Sequence, residues 1–265
     1  MFQLTPTVRT LLIINVLIFF LQSQFGPQVT VLGALFPFGS VYFQPWQFVT
    51  YMFMHGGFGH LFSNMLGLVF IGASLENVWG PKRFLTYWLI CGIGAGVLYQ
   101  GVRSYELHQM NNARIAFQEE PSGVAFADFY RTYFPESGQS AVSLANMLQR
   151  DPTNPEMIAS ANNAIQSACD MALNSPSAGM LGASGALFGV LFAFGFLFPH
   201  EKLIIFPIPI PIKAWLFVAL YTAYELYKGI HPVPGDNVAH FAHLGGMLIG
   251  FIVLKIWQRN GTHYG

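Results

Sequence analysis

Gly179-Met-Leu-Gly-Ala-Ser-Gly-Ala-Leu-Phe-Gly189 places one serine, Ser184, among small residues at the head of a long apolar run. Between Asp170 and Glu201 there is no Asp, Glu, Lys or Arg, so a helix that starts at this serine continues into lipid. A hydroxyl among glycines in a membrane helix is most often packing chemistry, because small residues let helices approach closely. Whether Ser184 does more depends on what the rest of the chain puts beside it. It would need a base and a set of fixed hydrogen-bond donors.

The chain around this stretch is built for lipid. Of its 265 residues 53% are hydrophobic and 9% charged, against roughly 25% charged in a soluble domain. Charged side chains are missing from Thr10 to Leu75, Phe84 to Val102, Met171 to His200, Ala214 to Tyr224 and Asn237 to Leu254. A crossing needs about 20 apolar residues, so the fold class is an all-α polytopic membrane protein. Six spans are expected, at 8–25, 58–78, 83–103, 179–198, 211–229 and 237–257. The first has no small-x-small cleavage site and reads as a retained span. Phe36, Phe38, Tyr42, Phe43 and Trp46 punctuate an irregular segment expected in the membrane interface. Phe206-Pro-Ile-Pro-Ile-Pro-Ile212 excludes a regular helix and favours extended backbone.

Residues 104–178 differ in kind, with eight acids against three arginines. Asn154-Pro155-Glu156 is a helix start, followed by apolar residues at helical spacing (Ile158, Ala161, Ile165, Cys169, Leu173). This region reads as a water-exposed insert between spans three and four, with one or two amphipathic helices and no catalytic signature of its own. Arg9, Lys82, Arg83, Lys202, Lys255 and Arg259 fall on one side of a six-span arrangement. The positive-inside rule then puts both termini in the cytoplasm and the insert outside. Zero net charge and no basic run argue against nucleic acid as a partner. Two cysteines, Cys91 and Cys169, are too few for a disulfide framework.

Spans two, four and six enter from the same face, so residues near their starts share a depth. Span two begins with His60-Leu-Phe-Ser-Asn64, span four with Ser184, and span six with Asn237-Val-Ala-His240-Phe-Ala-His243. Gly185/Gly189 and Gly246/Gly250 are small-xxx-small pairs that would let spans four and six touch. A nucleophilic serine needs a base, and the tetrahedral intermediate needs donors at its oxyanion. Ser184 and His243 can fill the first two roles, and His60 and Asn64 can donate with the Ser184 backbone N–H. His240, three residues from His243, lies on the same helix face and is the competing base. No acid lies in the sixth span, so a dyad is expected. Glu225, in the thin fifth span, reads as a hydrated interfacial carboxylate, with a gate or proton-transfer role as the other reading. His55 reads as a loop or structural histidine. No cofactor and no metal is expected.

In these motifs the chain resembles the rhomboid intramembrane serine proteases. Gly182-Ala-Ser184-Gly185 is similar to the family's nucleophile motif, Ala242-His243-Leu-Gly-Gly246-Met-Leu-Ile-Gly250 to its base motif, and His60-Leu-Phe-Ser-Asn64 to its oxyanion motif. The resemblance implies a six-helix bundle cleaving transmembrane protein substrates in the lipid bilayer near their outer ends, with small residues at the cut. It also implies that Phe188 packs on the base and that span five gates substrate entry. A bacterial cytoplasmic membrane is the expected location. Two other readings stand beside it: an inactive rhomboid-like binder of transmembrane helices, and a membrane metal or haem protein using His55, His60, His240 and His243.

Overall fold

A computed structural model describes residues 4–205, 208–231 and 238–259. The first helix, α1 (Pro6–Phe25), opens on a proline, the residue best suited to a first helical position. Its free N-terminal N–H groups are capped from another helix. The buried carboxylate of Glu76 accepts from the Thr7 N–H at 2.7 Å, the Val8 N–H at 2.9 Å and the Thr5 hydroxyl. A charged acceptor at a helix N-terminus satisfies orphan donors and favours the dipole together.

After Gly26 and a short α2 (Pro27–Gly33) the chain crosses the bundle in irregular form. Two glutamines supply the hydrogen bonds that a helix would have provided. The Gln47 side chain accepts from the N–H groups of Phe36 and Gln44 and donates to the carbonyls of Val31 and Tyr42. Gln100 brackets the same turn, donating to the Phe36 carbonyl and accepting from the Phe38 N–H. The aromatic segment is therefore not wholly an interfacial layer. Phe36 is fully buried, whereas Phe38 and Trp46 are about half exposed.

Helix α3 (Phe58–Trp79) contains one π-turn at Leu68–Gly72. Helix α4 (Pro81–Glu119) follows the Gly80 turn and runs for 39 residues, well past the expected end of span three. Arg103 adds charge but no helix breaker, and the helix stops only at the Pro121-Ser-Gly123 punctuation. The insert then folds as α5 (Gly123–Tyr133), α6 (Gly138–Arg150) and α7 (Pro155–Asn174). That is one helix more than the sequence suggested, plus the extension of α4. Ser122 caps α5 and Asn154 caps α7 through their side-chain oxygens. Phe117, Phe126, Phe129, Leu148 and Ile165 are buried together, a core separate from that of the membrane bundle. Each such side chain contributes about 1.5–3 kcal/mol relative to exposure.

Helix α8 (Ser184–Leu197) begins five residues later than the expected span. Residues 180–182 are held outside the helix, because Met180 pairs with Leu35 through two backbone hydrogen bonds and the Gly182 N–H donates to the Tyr51 carbonyl. Gly182 itself has φ +131°, a conformation that favours glycine. At 1.5 Å per residue α8 is about 21 Å long, roughly 10 Å short of the hydrocarbon core. A two-stranded antiparallel hairpin follows, β1 (Lys202–Ile205) and β2 (Ile208–Lys213), so the proline-rich stretch is extended as expected, with Phe206 and Pro207 outside the described residues. The bundle closes with α9 (Ala214–Ile230) and α10 (His240–Arg259). Helix α9 continues one residue past the expected end of span five, and the Asn237 start of span six falls outside the described residues.

Among the described residues four helices are long and apolar enough to cross a membrane, α1, α3, α4 and α10, with α8 a shorter apolar helix. Arg83 lies over the Trp257 ring at 4.3 Å and Lys255 over Phe196 at 5.2 Å, which gathers the start of α4 and the ends of α8 and α10 at one face. The contact that positions the site is between α8 and α10. A Cβ on Gly246 would collide with the Gly185 carbonyl, and one on Gly250 would lie 3.2 Å from the Gly189 Cα. Gly189 also leaves room for Cys91 of α4, whose Gly92, Gly94 and Gly96 admit Met52, Ile249 and Leu35 with Tyr51. The glycine run in α4 is therefore a packing surface. Because the atom facing Gly246 is backbone and cannot rotate away, we expect Gly246→Ala to destabilise the bundle by about 1–3 kcal/mol. Thermal unfolding in lipid or detergent reads this, and an unchanged midpoint would mean the two helices do not meet there.

Candidate active site

Ser184 sits at the first position of α8, so the N–H groups of its first turn have no partner within the helix. Residues of that turn, at the positive end of the helix dipole, line a cavity of about 1630 Å³. Ser184, His60, Asn64, Gly182, Gly185, Phe188, His240 and His243 all line it. The sequence-predicted residues are thus brought to one place.

The Ser184 Oγ lies 2.8 Å from His243 Nε2. The other ring nitrogen, Nδ1, lies 2.9 Å from Glu225 Oε2 on α9. The same oxygen is 2.7 Å from Nδ1 of His240. An ionised carboxylate only accepts, so both imidazoles donate through Nδ1. That leaves Nε2 of neutral His243 as an acceptor for the serine hydroxyl. Phe188 lies parallel to the His243 ring, with centroids 4.1 Å apart and planes 8° from parallel, and fixes its tilt. Tyr221 of α9 packs on the opposite side of Phe188 at 4.9 Å.

Glu225 corrects two expectations. It is buried, with 1% exposure, and it is not a hydrated interfacial group. It also supplies the orienting acid that the sixth span lacks, so the arrangement is a Ser–His–Glu chain and not an unassisted dyad. The signal was available in the sequence. A lone carboxylate in an apolar span is costly unless paired, and the two histidines of the next helix were its natural partners. His240 is not within the Ser184 contact; it shares the carboxylate from the other side.

The opposite wall carries donors. His60 Nδ1 accepts from the Gly56 N–H at 3.3 Å, which leaves Nε2 as the protonated nitrogen. A Cβ on Gly182 would lie 2.8 Å from His60 Nε2 and 3.5 Å from Ser184 Oγ, so both groups flank the same glycine. Asn64 is buried, and its Nδ2 has no hydrogen-bond partner among the described residues. A buried unpaired donor costs about 1–3 kcal/mol. Asn64 also lines the cavity. His55 is buried edge-on to His60 at 5.1 Å and its backbone N–H donates to Gln22. This fits the structural role expected of it.

The donor atoms of Glu225, His240 and His243 lie within 4.8 Å of one another, a set that could also hold a metal ion. The carboxylate that the histidines lacked in the sequence reading is therefore present. His55 and His60 are not part of that group.

Comparison with known proteins bears on this site directly. The Rhomboid domain family model matches residues 42–110 and 157–259, which include every residue of the site and leave out the middle of the insert. "Rhomboid protein 1, mitochondrial" of Saccharomyces cerevisiae is 40% identical over 82 residues, 31% of this chain and 22% of the relative. An uncharacterized mitochondrial rhomboid protein of Schizosaccharomyces pombe is 26% identical over 82% of this chain and 53% of its own length. "Rhomboid protease GlpG" of Salmonella choleraesuis is 25% identical over 36% of this chain and 35% of its own length. The chain thus spans between about a fifth and about a half of these relatives. With its long apolar helices and a family match over most of the chain, the protein is an integral membrane protein belonging to the rhomboid family.

Proposed function

We propose that this protein is an intramembrane serine endopeptidase that hydrolyses peptide bonds in or near transmembrane segments of membrane proteins. The observation that carries the reading is the hydrogen-bonded chain Glu225–His243–Ser184, in one cavity with His60 and with Asn64, whose Nδ2 is unpaired among the described residues. His243 Nε2 takes the Ser184 hydroxyl proton as Oγ attacks the scissile carbonyl carbon. Glu225 holds the ring by Nδ1 and stabilises the imidazolium that forms. The oxyanion is held by His60 Nε2–H, Asn64 Nδ2–H and the Ser184 backbone N–H. Collapse breaks the C–N bond, and His243 returns its proton to the leaving amine. Water, activated by the same imidazole, then hydrolyses the acyl-serine and restores the hydroxyl.

The shortness of α8, about 21 Å against a hydrocarbon core of about 30 Å, supports transmembrane substrates, because in this reading the bond reaches Ser184 below the membrane surface. Helix α9 carries both Glu225 and the Tyr221 that backs Phe188. The gate expected at span five would therefore also hold the catalytic imidazole. The basic ends of α4 and α10 face the cytoplasm in this reading, with the insert on the opposite side. The donor set of Glu225, His240 and His243 supports a second reading, a metal-binding membrane protein. Metal analysis of purified protein with fluorophosphonate labelling separates the two. Stoichiometric metal without label on Ser184 would favour the second reading.

Ser184→Ala and His243→Ala should abolish cleavage of a transmembrane substrate in lipid while leaving the unfolding midpoint nearly unchanged, and His240→Ala should cost much less. Asn64→Ala should slow turnover by roughly 10²–10³-fold, as loss of one oxyanion donor does; an unaffected rate would remove Asn64 from the hole. Glu225→Gln preserves shape but lets an amide N–H face Nδ1 and favours the wrong tautomer, so turnover should fall on the order of 10²–10⁴-fold. A rate within a factor of about two of wild type would reduce Glu225 to a packing role.

A further inference from the structure

The insert carries a second cavity, of about 670 Å³, between the extension of α4, the end of α5 and the end of α7. It shares Arg103, Glu106, Ser177 and Ala178 with the rim of the active-site cavity, so the two spaces meet at these residues. The junction is fixed in place. Arg103 is bonded to the Ala172 carbonyl at 2.9 Å and paired with Glu106 at 3.1 Å, and Asn174 accepts from the Val41 N–H at 3.0 Å. The insert is thus clamped over one side of the site.

Tyr105, Leu107, Met110, Tyr133, Phe134 and Met171 form an apolar and aromatic part of the lining, beside a polar part that includes Arg103, Glu106 and Gln109. Tyr105 is 64% exposed and Met171 63% exposed, while Phe117, Phe126 and Phe129 fill the insert's own core at 3% exposure or less. The insert therefore does not need Tyr105 and Met171 for its own fold. Thr132, Tyr133 and Phe134 fall in the stretch 111–156 that the family model does not match, so this wall belongs to the chain's added segment.

We propose that this cavity is an exosite for the extramembrane flank of the substrate, the stretch of chain that leaves the membrane beside the cleaved bond, and that it takes large apolar or aromatic side chains. The proposal rests on the protease reading. A substrate bound at Ser184 cannot continue through the floor of the site, because α8 and α10 close it through Gly185/Gly246 and Gly189/Gly250. Its chain leaves through the open rim, where Arg103, Glu106, Ser177 and Ala178 hand it to the second cavity. An apolar residue there covers Tyr105 and Met171 and adds affinity without touching the reacting atoms. Substrates are then selected by two features, small residues at the bond and an apolar anchor in the flank.

Binding to the Ser184→Ala protein in lipid nanodiscs tests this without turnover. The probes are fluorescent peptides with a transmembrane segment of about 20 residues and a flank carrying Leu and Phe, or the same flank made of Ser and Gly. The apolar flank should bind about tenfold more tightly, the equivalent of burying part of one large side chain. Tyr105→Ser with Met171→Ser should remove that gain and leave the Ser-Gly peptide unchanged. Both residues are exposed, so the variant should keep its melting temperature. A photo-reactive phenylalanine in the flank should cross-link to residues 105–110, 132–134 or 171–178. Equal affinity for the two flanks, a gain that survives the double variant, or cross-links confined to other surfaces would overturn the exosite. Absence of fluorophosphonate label on wild-type Ser184 would instead overturn the protease reading, a separate measurement on a separate protein.

Discussion

The close approach of α8 and α10 is the constraint on which the site depends. Where Gly246 meets the Gly185 carbonyl and Gly250 meets Gly189, no side chain separates the two backbones. That distance lets a short group such as serine reach an imidazole on the neighbouring helix at 2.8 Å. A pair of leucines at the crossing would hold the helices at the usual 8–10 Å between axes, and Ser184 and His243 would be out of reach. The glycines weaken each helix on its own by roughly 0.5–1 kcal/mol per residue relative to alanine. In lipid, where hydrophobic burial does not drive helices together, that cost is offset by dispersion contacts and interhelical hydrogen bonds. The Tyr87 hydroxyl on the Gly189 carbonyl, at 3.0 Å, is one of these.

The remaining groups are arranged around that contact. Gly182, at positive φ, ends the extended segment and lets His60 approach the serine. The pairing of Met180 with Leu35 and of Gly182 with Tyr51 stops α8 from starting earlier, which leaves Ser184 as its first residue. The irregular segment before α3 thus sets where α8 begins, and Gln47 and Gln100 hold that segment by buried hydrogen bonds. Glu76 does comparable work at the far end, joining α1 to α3.

Much of this was legible in the sequence because the signals are local or periodic. Charge-free runs marked the apolar helices, the Asn154-Pro155-Glu156 start marked α7, and paired glycines marked the helix crossing. His60, Asn64, Ser184 and His243 could be grouped because alternate spans enter from one face. The features that escaped are long-range. Glu225 stands out in the sequence as a lone carboxylate in an apolar span, but it is packing that sets its carboxylate between His240 and His243. Glu76 is likewise paired with residues 69 and 71 positions away. The end of α4 was misplaced because Arg103 marks where an apolar run ends, whereas a helix ends only where its backbone is interrupted. The start of α8 was misplaced for the converse reason, since a glycine-rich apolar stretch is compatible with extended backbone once a partner strand is present.

The central claim is that one reacting carbonyl can be held between Ser184 on one side and the donors of α3 on the other. The most direct measurement is a structure of the protein in lipid after reaction with a fluorophosphonate, whose tetrahedral phosphorus stands in for the intermediate. The account requires a covalent bond from Ser184 Oγ and a phosphonyl oxygen within about 2.7–3.1 Å of His60 Nε2, Asn64 Nδ2 or the Ser184 backbone N–H, with Glu225 still on His243 Nδ1. An adduct elsewhere, or an oxygen turned away from all three donors, would contradict it.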